Sequence, residues 1–119
     1  MGLPGRSALD LVSSATGAAS LTLRLVEIPV PEPGSTPRGA HQHDTCEECI
    51  FVLAGTGCTS ASGREQHVAA GDTILVPPGE PHVTHNTGTT PLLLLCFFPI
   101  PDITVSTKEP MIQNAPETP

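Results

Sequence analysis

The pattern of apolar and polar positions breaks this chain into short segments, none with a sustained helical period. LTLRLVEI, residues 21–28, alternates in part and predicts a strand. PVPEPGSTPRG follows, and so many prolines cannot join a hydrogen-bonded ladder, so it reads as a loop. EECIFVLA, residues 47–54, is apolar and β-favouring after its two glutamates, and Gly55-Thr56-Gly57 ends it with a turn. GCTSASG and REQHVAAGD read as a hairpin around Ser62-Gly63. DTILVPPG is a strand running into a Pro-Gly turn, HVTHNTGTT is a short polar strand ending at Asn86-Thr87-Gly88, and PLLLLCFF is apolar throughout.

These segments make roughly seven or eight short strands with turn signals every 8–12 residues, the pattern of an all-β sandwich or barrel. No helix longer than two turns and no internal repeat is expected. The organisation predicted is an N-terminal arm over residues 1–20, flexible or a short helix, a barrel over 21–100, and an irregular tail over 101–119. Leu92 to Phe98 adds information, because a strand with one wet face should alternate and this one does not. Both its faces should be covered, the outer one by a second sheet, by the N-terminal arm or by another subunit; a homodimer is the favoured expectation.

Composition narrows the function. The 119 residues suit one domain with one modest core. With 11 Gly, 14 Pro, no Trp or Tyr and three Phe, the core must be aliphatic and the chain rich in turns. Five Lys and Arg against 12 Asp and Glu give a net charge of −7, which argues against nucleic acid and anionic membrane surfaces as partners. PLLLLCFFPI falls well short of the ~20 residues of a membrane span. The opening residues, with Asp10 inside the would-be apolar stretch, make a poor signal peptide. Four cysteines without such a signal fit a reducing compartment, so a cytoplasmic location is expected.

The chemistry gathers in HQHDTCEECIF, residues 41–51. His41 and His43 point the same way in an extended strand, so both can chelate one ion. Glu48 has the other parity, but a turn at Asp44-Thr45-Cys46 could reset the register. Glu48 would then share its face with Ile50 and Val52, a carboxylate above an apolar floor. In the second stretch, GDTILVPPGEPHVTHN, His82 follows a rigid Pro77-Pro78-Gly79 turn.

Together these stretches resemble the paired signature motifs of the cupin superfamily. The first, G-x5-H-x-H-x(3,4)-E-x6-G, is supplied by His41, His43, Glu48 and Gly55; its leading Gly would fall at Ser35, while Gly34 stands one residue early. The second, G-x5-P-x-G-x2-H-x3-N, is supplied by Gly71, Pro77, Gly79, His82 and Asn86. Two blocks at full spacing are far more specific than a lone H-x-H. The resemblance implies a small jelly-roll-like double-stranded β-helix. It also implies that His41, His43, Glu48 and His82 are the ligands of one divalent transition metal. Three imidazoles and a carboxylate suit Fe, Mn, Ni, Cu or Zn, and leave positions open for a substrate.

Other candidates weigh less. Glu47 could replace Glu48, but the spacing to Gly55 selects Glu48. Cys46 and Cys49 form C-x-x-C, yet no second pair completes a four-cysteine zinc centre. Cys49, Cys58 and Cys96 read as small buried hydrophobes, and Cys46 could reach the cavity mouth. His85 should face away from His82, and His67 should lie at the surface. Glu80 or Asp44 could act as a general base near the mouth. The pocket should be lined by Ile50, Val52, Leu93, Leu95 and Phe97 or their alternates.

The superfamily spans many chemistries, so fold alone does not give function. The expectation is a metalloenzyme acting on a small organic molecule, with Glu48 as the catalytic carboxylate. One version is a dioxygenase acting on an enolic or hydroxylated aromatic compound. A redox-neutral cyclase, isomerase or lyase and a non-enzymatic binding protein are the alternatives.

Overall fold

A computed structural model of the protein describes residues 2–3 and 6–108. Among them lie eleven strand segments and two single-turn 3-10 helices. The strands are β1 (Gly2–Leu3), β2 (Arg6–Val12), β3 (Thr22–Ile28), β4 (Gln42–His43), β5 (Glu48–Ala54), β6 (Thr56–Ala61), β7 (Arg64–Ala69), β8 (Thr73–Val76), β9 (His82–Asn86), β10 (Leu92–Phe98) and β11 (Thr107–Lys108). They build a six-stranded sheet in the order β1-β2-β3-β10-β5-β8, a three-stranded sheet β7-β6-β9 and a pair β11-β4. Every pairing is antiparallel.

The core follows from period-two alternation. Leu94 stands opposite Val26 on one side and Val52 on the other, and all three are buried. Leu92, Cys96 and Phe98 share that inner face with Ile28 and Ile50, and Val68 joins them from the smaller sheet. Side chains of this kind bring about 1.5–3 kcal/mol each when fully buried. Gly57 makes room for this packing, because a Cβ there would sit 2.7 Å from both the Leu92 Cδ2 and the His85 carbonyl oxygen.

Turn chemistry matches the motif residues. Ser62 and Gly63 take φ of 52° and 74°, the primed hairpin turn that joins β6 to β7. Gly79 has φ +76° and follows Pro78, while Glu80 N–H donates to the Pro77 carbonyl at 3.4 Å, so the turn before β9 has fixed geometry.

The two ends depart from expectation. Residues 6–12 do not form a loose arm or a helix; they pair with β3, with Ala8 opposite Val26 and Leu9 opposite Leu25. The inner face of β2 is carried by Arg6 and Ala8, which have too little apolar character to announce a strand. Residues 101–108 are ordered as well. Ile103 is buried in the core and Thr107 pairs with His43. The proline-rich composition that suggested an irregular tail belongs mostly to residues 109–119, which lie outside the described residues.

Candidate metal centre

β4, β5 and β9 bring the four motif residues to one point. The backbones of His41 and His82 exchange hydrogen bonds, His41 N–H to the His82 carbonyl at 3.0 Å and the reverse at 2.8 Å. The polypeptide thus ties the two motif segments together before any side chain is considered. Gly79 N–H donates to the His43 carbonyl at 2.7 Å and pins β4 to the turn before β9. Asn86 holds the far end of β9: its Nδ2 donates to the carbonyls of Ile28 at 2.9 Å and Thr90 at 2.8 Å.

One potential ligand atom from each of His41, His43, Glu48 and His82 lies within 4.8 Å of the others. His43, Glu48 and His82 are buried and His41 is half-buried. Glu48 Oε1 stands 2.9 Å from His82 Nε2 and 3.2 Å from His43 Nε2. Asp44 to Cys46 do form the turn that resets the register, so Glu48 faces inward with Ile50 and Val52.

The neighbours of the imidazoles decide which nitrogen faces the cluster. His82 Nδ1 donates to the Glu80 carbonyl at 2.9 Å. His43 Nδ1 lies 3.0 Å from Thr107 Oγ1, whose own hydroxyl donates to the Ile103 carbonyl at 2.7 Å. The Thr107 oxygen therefore accepts from His43, and the Nε2 lone pair of His43 is left aimed at the carboxylate. Among the described residues that buried Nε2 has no hydrogen-bond partner. Lone pairs of two imidazoles and a carboxylate oxygen crowded together are repulsive unless a proton or a cation lies among them. The donor set, its burial and its outer partners all fit a transition metal.

Charge states agree with this picture. Burial pushes the Glu48 carboxyl up, but the His43 and His82 imidazoles outweigh that and hold it down to about 2. Burial, and then the charges of His82 and Arg6, hold the His41 imidazole down to about 3, so it is a neutral donor near neutral pH. Burial lowers the His82 pKa, but its hydrogen bond to Glu48 and the carboxylate charge raise it above the ordinary value. A metal held by Glu48 and His82 would take the place of that proton.

The cluster opens into a cavity of about 50 Å³. Its apolar wall is formed by Val26, Ile28, Ile50, Leu94 and Phe98. Ile50 was expected there; Leu93, Leu95 and Phe97 point to the opposite face, and their alternates Leu94 and Phe98 line the cavity instead. Cys96 also lines it beside Glu48, a place its sequence surroundings did not signal. Burial, and then the Glu48 charge, push that thiol up, so it stays protonated. Cys46 does not reach the cavity; it packs in the core with its sulfur 3.8 Å from Ser106 Oγ. Cys49 and Cys58 are half-buried rather than buried. Neither the Asp44 nor the Glu80 side chain lines the cavity, so Glu48 is its one carboxylate among the described residues. His67 is exposed, and His85 turns away with Nε2 3.4 Å from the Arg38 carbonyl. Sequence reasoning missed Arg6, Arg24 and Arg38, which stand at the same cavity.

Comparison with known proteins places this geometry. The profile of the cupin domain family matches residues 28–98, which contain all four cluster residues. An uncharacterized protein of Methanocaldococcus jannaschii is 41% identical over 56 residues, covering 47% of this chain and 45% of that protein. The polyketide cyclase RemF of Streptomyces resistomycificus superposes with a TM-score of 0.66 at 25% identity, over 82% of this chain and 67% of that one. An oxalate decarboxylase of Lactobacillus farciminis, in its formate complex, superposes with a TM-score of 0.74 at 24% identity, over 90% of this chain and 32% of the other. The chain thus spans less than half of the curated relative and about a third of the decarboxylase. No helix among the described residues is long and apolar enough to cross a membrane.

Proposed function

Because the chain belongs to the cupin domain family, we propose that it is a single-metal enzyme acting on a small organic substrate. The observation that carries this reading is the convergence of His41, His43, His82 and Glu48 on one buried point, with His43 Nε2 lacking any other partner. A divalent transition metal held by these four residues supplies Lewis acidity and, where redox-active, electron transfer. The chain's own residues do the rest. The carbonyl of Glu80 and the hydroxyl of Thr107 hold His82 and His43 in one tautomer each. Val26, Ile28, Ile50, Leu94 and Phe98 exclude water. Glu48 is the one carboxylate of the cavity among the described residues, and the Cys96 thiol shares its wall. With no Tyr in the chain, a protein phenol takes no part.

The cavity is lined by both charged and apolar residues, which suits a small polar molecule with a carbon body. A small enolic or carbonyl compound is the favoured substrate, turned over by a dioxygenase or by a redox-neutral cyclase, isomerase or lyase. Elemental analysis of protein purified without chelators, followed by oxygen-uptake assays, tests the reading. Stoichiometric Fe, Mn, Ni or Cu with uptake supports the oxygenase, and Zn without uptake supports the redox-neutral form. Absence of stoichiometric metal, or a His82→Ala variant that keeps its full metal content, refutes the proposed centre.

We also read the protein as a homodimer in a reducing compartment. All four cysteines are free. The outer face of the large sheet presents Leu9, Phe51, Leu53, Leu75, Leu95 and Phe97, with Leu9 and Leu75 each 61% exposed. Contiguous apolar surface of this kind marks an interaction site, and a second copy would cover the face of β10 that its unbroken apolar run calls for.

A further inference from the structure

The arginines of the cavity carry a narrower conclusion, which rests on the metal-centre reading for its neighbour but not for its own logic. The chain has only five Lys and Arg residues and a net charge of −7. Arg6, Arg24 and Arg38 nevertheless all line the cavity. Arg24 is neutralised by Asp10, with Nε 2.6 Å from Oδ1. The other two have no carboxylate partner among the hydrogen bonds and ion pairs of the described residues. Arg38 spends one N–H on the Thr84 carbonyl. Among the described residues Arg6 Nε is buried with no hydrogen-bond partner. Burial, and then the charge of Arg6, lower the Arg38 pKa to about 10, and Arg6 also bears on His41.

Two half-buried like charges and an orphaned donor are unfavourable as they stand, and an anion between them relieves both. The shape of the cavity identifies the anion. Its charged donors come from the arginines, while much of the remaining wall is aliphatic. A phosphate wants donors around all its oxygens. A carboxylate offers two oxygens at one end, matched to a guanidinium fork, and a carbon body at the other. We propose that the substrate is a small carboxylic acid, held by Arg6 and Arg38 with its reacting end turned toward the His41–His43–Glu48–His82 cluster. Arg6 comes from β2, so that strand completes the substrate site.

Calorimetric titration tests this with acetate, malonate, acetamide and inorganic phosphate as probes, on metal-loaded and metal-free full-length protein. Malonate should bind wild type, and Arg6→Gln and Arg38→Gln should each weaken it about tenfold or more. Metal content should be unchanged, and Arg64→Gln, a change on the exposed start of β7, should have no effect. Arg6→Lys and Arg38→Lys keep the stem and charge, and should fall between wild type and the glutamine variants. Melting curves identify any variant that fails to fold, and the lysine pair then carries the comparison. Malonate binding that is unchanged in the arginine variants overturns the proposal, as does acetamide binding like acetate or phosphate binding more tightly than malonate. The metal-free titration keeps the two readings apart. Loss of the arginine effect in metal-replete protein refutes only the carboxylate site, and an arginine effect in protein that binds no metal refutes only the metal centre.

Discussion

Replacing Thr107 by Val keeps the shape of a buried contact and removes one oxygen. In the wild type that oxygen accepts from His43 Nδ1 at 3.0 Å. Without metal, the variant imidazole has an escape: its proton can move to Nε2, which already stands 3.2 Å from Glu48 Oε1. With metal bound, Nε2 is taken and the Nδ1–H is left buried without an acceptor, at a cost of about 1–3 kcal/mol. The free Ile103 carbonyl is common to both states and cancels. The penalty therefore falls on the loaded form and appears as a loss of metal affinity of about 5- to 150-fold, at tenfold per 1.4 kcal/mol. Competition against a chromophoric chelator near neutral pH measures it, with Thr107→Ser as the variant that restores the acceptor and the affinity. A Thr107→Val protein that melts normally and binds metal as tightly as wild type would show that this hydroxyl does not set the tautomer of His43.

Further predictions follow from charge, packing and surface. The His41 pKa is about 3 in the fold against an ordinary 6.5, so the unfolded chain takes up the proton first. His41 thus supports metal-free protein fully above pH 6.5 and loses that support as pH falls toward 3, and Glu48 adds a loss from 4.5 toward 2. His82, whose pKa is raised, works in the opposite sense: its contribution is present below 6.5 and lost as pH rises through its folded value. Melts in chelator should therefore fall on acidification from pH 6.5 to 4.5, more steeply in wild type than in His41→Gln, and equal slopes would contradict this assignment. Gly57→Ala forces a Cβ against a backbone carbonyl and should cost about 1–3 kcal/mol, lowering Tm by about 4 °C or more; an unchanged Tm counts against the tight packing of Leu92 on β6. Leu75→Glu, on an exposed position, should convert a dimer to a folded monomer in sedimentation velocity, whereas a monomeric wild type would dismiss the interface.

The four clustered residues were legible because their spacing is a local property: H-x-H fixes two side chains on one face, and Pro77-Pro78-Gly79 fixes the approach of a third. The central strands were legible for the same reason, since alternation needs no partner to be seen. What the sequence concealed depends on register between distant segments. Arg6 and Thr107 sit in stretches that carry no motif, and only the pairing of β2 with β3 and of β11 with β4 delivers them to the cavity. Cys96 was read as core, and it is core, but the parity of β10 also sets it beside Glu48. Cys46 drew attention by adjacency to the ligands, yet the turn that resets the register directs its sulfur toward Ser106 instead.

The uninterrupted apolar run of β10 has a further consequence before the chain is folded. Leu92–Phe98 contains no charge, no Pro and no Gly, the composition of a segment able to pair with copies of itself. All seven residues pair with β3 and Leu93–Phe97 pair with β5 as well, at the middle of the large sheet, so the run needs partners distant in sequence on both sides. Such non-local pairing forms slowly, which leaves the segment exposed during folding. Pro91 and Pro99 bracket it, and neither has an N–H to extend an intermolecular ladder past the ends of the run. The two prolines thus act as gatekeepers, confining the stickiest part of the chain to a length that its own sheet can consume.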